Sequence, residues 1–336
     1  MTLPRKSANR YDITSSAFFR LPTLKALARV LQWDGTPSAL RALCKRPDNF
    51  SEFYQTHRRT GKKRLIQAPS AVVKPLQKRL NVLLKQICVP DYLHSGIPKR
   101  SHLTNSECHM LAEGATVTVD VSDFYPSITR QRVFKLFRNV FQCPGDVADA
   151  MADLVCYNGK LATGSPASVL LSFWACRDLF DLIAKRVADQ GGTFSLYVDD
   201  VAITGNTIGH GDVRWLDRVL RRFGFASKVE KAKVFRKASA KVVTGRAFRD
   251  GISRAPNRKH KEMHESRTLV KGSSASTKVK RGLVGQLENI GNLDQQRGTS
   301  LKAEAQKLRS TLPPARRRRR RPSVSLPTAI SGVEST

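Results

Sequence analysis

Phe194-Ser195-Leu196-Tyr197-Val198-Asp199-Asp200-Val201-Ala202-Ile203 is the stretch that decides the fold. Apolar residues on both sides of Tyr197 to Asp200 make it a β-hairpin with two adjacent carboxylates at its tip. Side-by-side carboxylates repel, and each disfavours ionisation of the other unless a cation joins them. A solvated acidic turn is the plain alternative, and a divalent metal is the occupant that fits the hairpin setting.

Upstream, Ala115-Thr116-Val117-Thr118-Val119-Asp120-Val121-Ser122-Asp123-Phe124-Tyr125 is a second β-type run, rich in Val and Thr and ended by Pro126-Ser127. It supplies a third carboxylate, Asp120. Two magnesium ions roughly 3.5 to 4 Å apart can activate a hydroxyl and stabilise a leaving oxygen in phosphoryl displacement, and hard oxygen ligands suit them. Nucleotidyl transfer is the chemistry this set points to.

The charge agrees. Lys and Arg number 59 against 27 Asp and Glu in 336 residues, a formal net charge of +32. Such an excess is costly to hold compactly without a polyanion, and nucleic acid is the expected partner. Taking away the run Arg316–Arg321 still leaves +26, so the excess belongs to the body as well as the tail. A hydrophobic content of 40% suffices for a large core. No apolar run reaches bilayer length and no leader pattern opens the chain, so a cytoplasmic protein with no membrane partner is expected. The six cysteines, Cys44, Cys88, Cys108, Cys143, Cys156 and Cys176, have no zinc-like spacing and read as reduced, mostly buried thiols.

Apolar spacing predicts short helices around Leu24–Leu31 and Leu40–Leu43, then a basic turn, Arg58-Arg59-Thr60-Gly61-Lys62-Lys63-Arg64, leading into a strand. A helix over 133–141 is capped by Thr129, and another over Val147–Tyr157 leads to a turn at Asn158-Gly159. A long helix is expected from Ser165-Pro166, with a seam of Val169, Phe173, Cys176, Phe180, Ile183 and Val187. Gly164 just before it would let backbone approach a base pair. After the acidic hairpin come a helix over Val213–Phe223 and a turn and strand through Lys231 to Phe235. The order is close to a split βαβ pattern, an α+β sheet with helices on one face. Beyond Pro256 the chain turns basic and helical, with the stripe Leu283, Leu287, Ile290, Leu293, and the Arg-rich remainder reads as disordered.

Val119-Asp120-Val121-Ser122-Asp123-Phe124-Tyr125 and Tyr197-Val198-Asp199-Asp200 resemble the two catalytic motifs of reverse transcriptases. Asn105-Ser106-Glu107-Cys108-His109 resembles the Asn-Ala-x-x-His element of the retron branch, and Val243-Thr244-Gly245 its Val-Thr-Gly element. The resemblance covers roughly 39–312. It departs at Ser106, where alanine is usual, at Leu161-Ala162-Thr163-Gly164, where Leu-Pro-Gln-Gly is usual, and at Val169 and Phe173.

The resemblance implies a right-hand polymerase fold: N-terminal helices and fingers over 1–110, a ferredoxin-like antiparallel-sheet palm over 111–255, a helical thumb over 256–312 and a disordered tail over 313–336. Asp120, Asp199 and Asp200 are the implied catalytic residues; with the carbonyl of Val121 they would hold two Mg²⁺ ions. Arg64, Tyr125 and Lys231 would bind the dNTP, Tyr125 excluding a ribose 2′-hydroxyl. Asn105, His109, Val243, Thr244 and Gly245 would serve RNA binding. Expected partners are a structured non-coding RNA, its cDNA, dNTPs and an effector protein of an antiphage unit, with branched multicopy single-stranded DNA as product. The alternatives are a group II intron-like or other defence-associated reverse transcriptase, an RNA-dependent RNA polymerase, or a non-catalytic RNA-binding protein.

Overall fold

The computed structural model describes residues 10–56, 61, 63–271 and 275–314. The basic turn at 57–60 with Lys62, and the tail from 315 with its arginine run, lie outside the described residues. Two capped helices come first, α1 (Leu24–Leu31) and α2 (Pro37–Cys44). The hydroxyls of Thr23 and Thr36 accept from the amides of Ala26 and Ala39, satisfying donors that a helix start leaves unpaired. β1 (Phe50–Thr56) and β2 (Lys63–Pro69) form an antiparallel ribbon from Phe50 opposite Pro69 to Thr56 opposite Lys63. The ribbon is largely exposed, Phe53 and Tyr54 included. α3 (Val73–Leu84) buries Val73, Leu76, Leu80 and Leu84, and α4 (His102–Met110) is started by a capping box of Ser101 and Thr104.

β3 (Ala115–Ser122) is the central strand of the main sheet. It is followed by α5 (Phe124–Ser127), α6 (Arg130–Lys135) with a π-helical turn over Leu136–Val140, and α7 (Gly145–Val155). A small hairpin, β4 (Cys156–Tyr157) and β5 (Lys160–Leu161), leads to α8 (Ser168–Ala175) and α9 (Arg177–Asp189). Then come β6 (Thr193–Tyr197), β7 (Asp200–Gly205), α10 (His210–Arg222), β8 (Ala226–Ser227) and β9 (Lys233–Phe235). The sheet runs β6-β7-β3, with β8 and β9 sharing the far edge of β3, and every pairing is antiparallel. Alternation along β3 sends Val117, Val119 and Val121 into the main core. The opposite face carries Thr116, Thr118 and Asp120, and α4 covers its Thr116 end.

Two expectations need correction, and Gly164 gains a reason of its own. The helix over Val147–Tyr157 ends at Val155, because Cys156 and Tyr157 pair with Leu161 and Lys160 around an Asn158-Gly159 turn in which both residues have positive φ. The long helix begins at Ser168, not at Ser165-Pro166, and is two helices with a break at Cys176 (φ −124°, ψ 15°). The seam holds in α9, where Phe180, Ile183 and Val187 are buried, but α8 is buried almost all round and carries no single stripe. Gly164 serves a different contact: its amide donates to Gln67 O at 3.1 Å, and a Cβ there would lie 2.4 Å from that oxygen. Its bareness seats the ribbon's backbone.

β10 (Lys241–Val243), β11 (Arg246–Arg249) and β12 (Ile252–Arg254) make a second antiparallel sheet. α11 (Asn257–Lys271), α12 (Thr277–Leu293) and α13 (Gly298–Ser310) follow, packed around their own cluster of Met263, Leu283, Val284, Leu287, Ile290, Leu293 and Leu301. The expected stripe is the buried face of α12. Among the described residues no helix is long and apolar enough to cross a membrane. The whole is a mixed α/β structure with antiparallel sheets.

Candidate active site

In the β3–β7 register Asp120 stands directly opposite Asp200. Tyr197 and Asp200 close the β6–β7 hairpin, so its two-residue turn is Val198-Asp199. Val198 has φ +61°, a backbone region that a β-branched residue adopts only under strain. Two hydrogen bonds fix the turn: the Val198 amide donates to Ser95 Oγ at 3.0 Å, and the Val121 amide donates to Asp199 O at 3.0 Å. Ser95 is buried, on a segment that extends the sheet beside β6 through Leu196 N to Tyr92 O and His94 N to Leu196 O. Three carboxylates thereby converge at one end of the sheet.

Their electrostatics follow from crowding. Burial, then repulsion from Asp120, pushes the Asp199 carboxyl up to about 6. Asp200 shifts in the same direction, through the desolvating walls around it and then through Asp199 and Asp120. Asp200 itself is exposed. Lys228, on the loop after β8, opposes both shifts. Its Nζ lies 3.1 Å from Asp120 Oδ2, and its amide donates to Asp120 O. Among the described residues no three His, Cys, Asp or Glu side chains are gathered as a finished metal cage. The donor set nevertheless fits magnesium: three hard carboxylates that repel one another and are relieved by a cation.

A cleft of about 580 Å³ opens from this end, lined by Thr118, Asp120, Tyr197, Asp200, Lys231 and Thr244 among others. Lys231 is exposed on a 3-10 turn, Val229–Lys231, that divides the expected single strand into β8 and β9. Tyr125 is half-buried at the start of α5. Burial first, then Asp199, raises its phenol above the ordinary range, while Arg64 on β2 opposes that rise. Asp120, Asp199, Asp200, Tyr125 and Arg64 thus share one neighbourhood.

Asn105 and His109 are elsewhere, fully buried in α4. Nδ1 of His109 lies 2.8 Å from Thr204 Oγ1 and Nε2 lies 2.8 Å from Ser195 Oγ, while Thr204 meets Thr116 at 2.7 Å. These bonds knit α4 to β3, β6 and β7. Burial lowers the His109 pKa to about 3, so the ring is neutral. Asn105 Nδ2 donates to Thr244 Oγ1 at 3.4 Å, and Thr244 Oγ1 donates to His102 O at 2.8 Å. Thr244 and Gly245 form the two-residue β10–β11 turn, with φ +42° and +78°, the positive angles that hairpin turns of primed type require. The two short elements flanking the two Asp-bearing segments in sequence are therefore in contact, and Asn105, His109 and Val243 are all buried, so their side chains pack the interior.

Sequence reasoning missed Ser95 and Lys228. Each acts through a pairing 103 or 108 residues away, so no local pattern marks it.

No protein-family model matches the chain. Individual proteins do. Retron Se72 reverse transcriptase of Salmonella heidelberg is 27% identical over 163 residues, 47% of this chain and 42% of its own. Retron Mx162 reverse transcriptase of Myxococcus xanthus is 27% identical over 218 residues, 56% and 45% of the two chains. Retron Ec48 reverse transcriptase of Escherichia coli is 21% identical over 276 residues, 74% and 67%. The class these names define is that of reverse transcriptases, RNA-directed DNA polymerases. Within it the chain is similar to the retron type, and its matched part spans about half the length of the first of these relatives.

Proposed function

We propose that the chain is a retron-type RNA-directed DNA polymerase that copies a dedicated structured RNA. The observation that carries this reading is the register of β3 on β7, which sets Asp120 opposite Asp200 with Asp199 in the turn beside them. The strand order around β3 supports a ferredoxin-like palm over 111–255, with the β1–β2 ribbon in the fingers and α11 to α13 as the thumb.

Asp120, Asp199, Asp200 and the carbonyl of Val121 would hold two magnesium ions. When bound, the ions lower the pKa of the attacking hydroxyl and stabilise the departing pyrophosphate oxygen. The chain's own residues do the rest. The hairpin turn, pinned by Ser95 and Val121, orients the carboxylates. Arg64 offers a guanidinium to the triphosphate from the ribbon, Lys231 a further cation from the cleft wall, and the Tyr125 ring occupies the space that a ribose 2′-hydroxyl would need. Lys228 pairs with one oxygen of Asp120 and offsets part of the carboxylate repulsion. α4 and the Thr244-Gly245 turn support the surface that meets the RNA.

From the same likeness we infer priming from an RNA 2′-hydroxyl, a branched multicopy DNA product, an effector partner in an antiphage unit and a cytoplasmic location. The test is primer extension on an RNA template with dNTPs against NTPs, with sequencing of the nucleic acid that copurifies. Incorporation of dNTPs and one enriched structured RNA support the reading; absence of incorporation under magnesium and manganese alike rejects it.

A further inference from the structure

None of the chemistry above uses the outer face of α10. Arg214 and Arg218 stand one helical turn apart there, and both are exposed. Among the described residues neither guanidinium makes a hydrogen bond, an ion pair or a ring contact. Asp217 is the neighbouring carboxylate and is already engaged: Arg221 Nε donates to its Oδ2 at 2.8 Å, and the Ser227 hydroxyl donates to its Oδ1 at 2.5 Å. Two positive charges are left without an answering group.

A groove of about 450 Å³ opens between these side chains and the Val229–Lys231 turn, lined by Val213, Arg214, Asp217, Arg218 and Val229. Val229 is 47% exposed, so the groove shows water an apolar lining as well as two cations. The turn borders the cleft too, where Glu230 and Lys231 stand in the lining with Asp120. A ligand for the groove therefore needs carboxylate or phosphate charge together with an apolar group. Phosphates bring only acceptors, and the lining offers a nucleic-acid base no aromatic ring to stack on. The run Arg316–Arg321 has the same sign as the groove. A peptide of the opposite sign supplies both characters in one strand.

We propose that the groove between α10 and the Val229–Lys231 turn docks an acidic segment of a partner protein, with carboxylates on Arg214 and Arg218 and an apolar side chain against Val213 and Val229. A guanidinium suits this ligand because its fork of donors matches both oxygens of a carboxylate. No internal ion pair has to break to free either arginine. The site stands on the groove and its unanswered charges, and does not rest on the polymerase reading.

The test uses the full chain, freed of nucleic acid, at about 0.15 M salt, with a fluorescent peptide of glutamates around a central leucine, read by anisotropy. Arg214→Glu with Arg218→Glu should bind it at least roughly tenfold more weakly. Lys25→Glu with Arg29→Glu, exposed on α1 and equal in net charge, should stay within about twofold of the wild type. The same peptide with alanine at its centre should bind the wild type about fivefold more weakly, since less apolar surface is covered. With a benzophenone side chain at the centre, light should crosslink it to α10 around Val213 and to Val229. Equal weakening by the two charge reversals, an alanine peptide that binds as well, or crosslinks only elsewhere overturns the site. So does a single-stranded RNA of the same charge that displaces the peptide and loses as much affinity from the α10 reversal, which would make the groove a nucleic-acid surface. Should the α10 reversal not fold, as read by thermal melting, Arg214→Gln with Arg218→Gln carries the same comparison with the same outcomes.

Discussion

The amide of Val198 donates to Oγ of Ser95 at 3.0 Å, joining the Val198-Asp199 turn to a segment 103 residues earlier in the chain. Val198 holds φ +61° against its own preference, and such strain persists where surrounding bonds over-determine it. Ser95→Ala should cost about 1 to 3 kcal/mol and lower kcat more than it raises KM. Denaturant unfolding and single-nucleotide incorporation read the two effects; stability lost at an unchanged rate would show that the strand ladder alone sets the turn.

Asp199→Ala with Asp200→Ala should reduce DNA synthesis by about a thousandfold or more, given several kcal/mol of metal-assisted stabilisation. RNA binding should persist. In EDTA the double variant should melt higher than the wild type at pH 8, because carboxylates that burial and Asp120 push upward have been removed. Gel-based extension and thermal melts test the pair together, and substantial residual synthesis would falsify the metal assignment.

His109 gives the acid side of the stability curve a definite sign. Its pKa falls from an unfolded value of about 6.5 to about 3 in the fold. Its contribution is thus complete above the unfolded value and is lost as pH drops through that window, by up to ~1.4 kcal/mol per pH unit. Asp199, raised to about 6, acts oppositely: its folded form favours the proton, so its contribution is lost as pH rises toward 6. The two oppose each other between about pH 4 and 6. The difference between wild type and His109→Gln isolates the histidine, and parallel melting curves from pH 6.5 to 4.5 would contradict a neutral buried ring.

On the proposed gate role, Tyr125→Ala should relax discrimination between dNTPs and NTPs; Asp199 and Arg64 are charged groups that act on its phenol. A loss of roughly tenfold or more is expected if steric exclusion carries even 1.4 kcal/mol. Single-nucleotide incorporation decides it, and wild-type selectivity in the variant would remove Tyr125 from the gate.

Truncation after Leu312 removes the run Arg316–Arg321. Each phosphate contact contributes about −0.7 to −0.9 to the slope of log affinity on log salt, so losing several should flatten it by several units. Specificity for the cognate RNA should be unchanged. An unaltered slope would confine RNA contacts to the rest of the chain.

The carboxylate-bearing end of the sheet is legible in the sequence because its signals are local. Alternation in Ala115–Ser122 and the apolar flanks of Asp199-Asp200 each specify a strand without reference to anything distant, and the antiparallel register then brings the carboxylates together. Helix starts were less legible. Ser165 resembles a cap, but its Oγ accepts from Ala167 in a turn that precedes the helix, and nothing around Cys176 announces a break inside an apolar run. Lys228 was passed over for Lys231 because both are lysines in one basic segment, and the pairing of β8 with Val121 and Ser122 brings the earlier one to Asp120. Asn105 and His109 were legible as an element but not as interior struts, since burial in a polar network leaves no periodic trace.

Gly164 brings the main chain of the segment before α8 against that of β2, with Thr163 Oγ1 donating to Leu65 O at 3.1 Å and accepting from Gln67 N at 3.2 Å. The ribbon that carries Arg64 is thus attached main chain to main chain at Gly164, with the Thr163 hydroxyl bridging two further backbone groups of β2. The seat of β2 on that segment is set by these hydrogen bonds and by the close approach that a bare Cα at 164 permits. A single methyl group at 164 would have to pry the ribbon away from that seat.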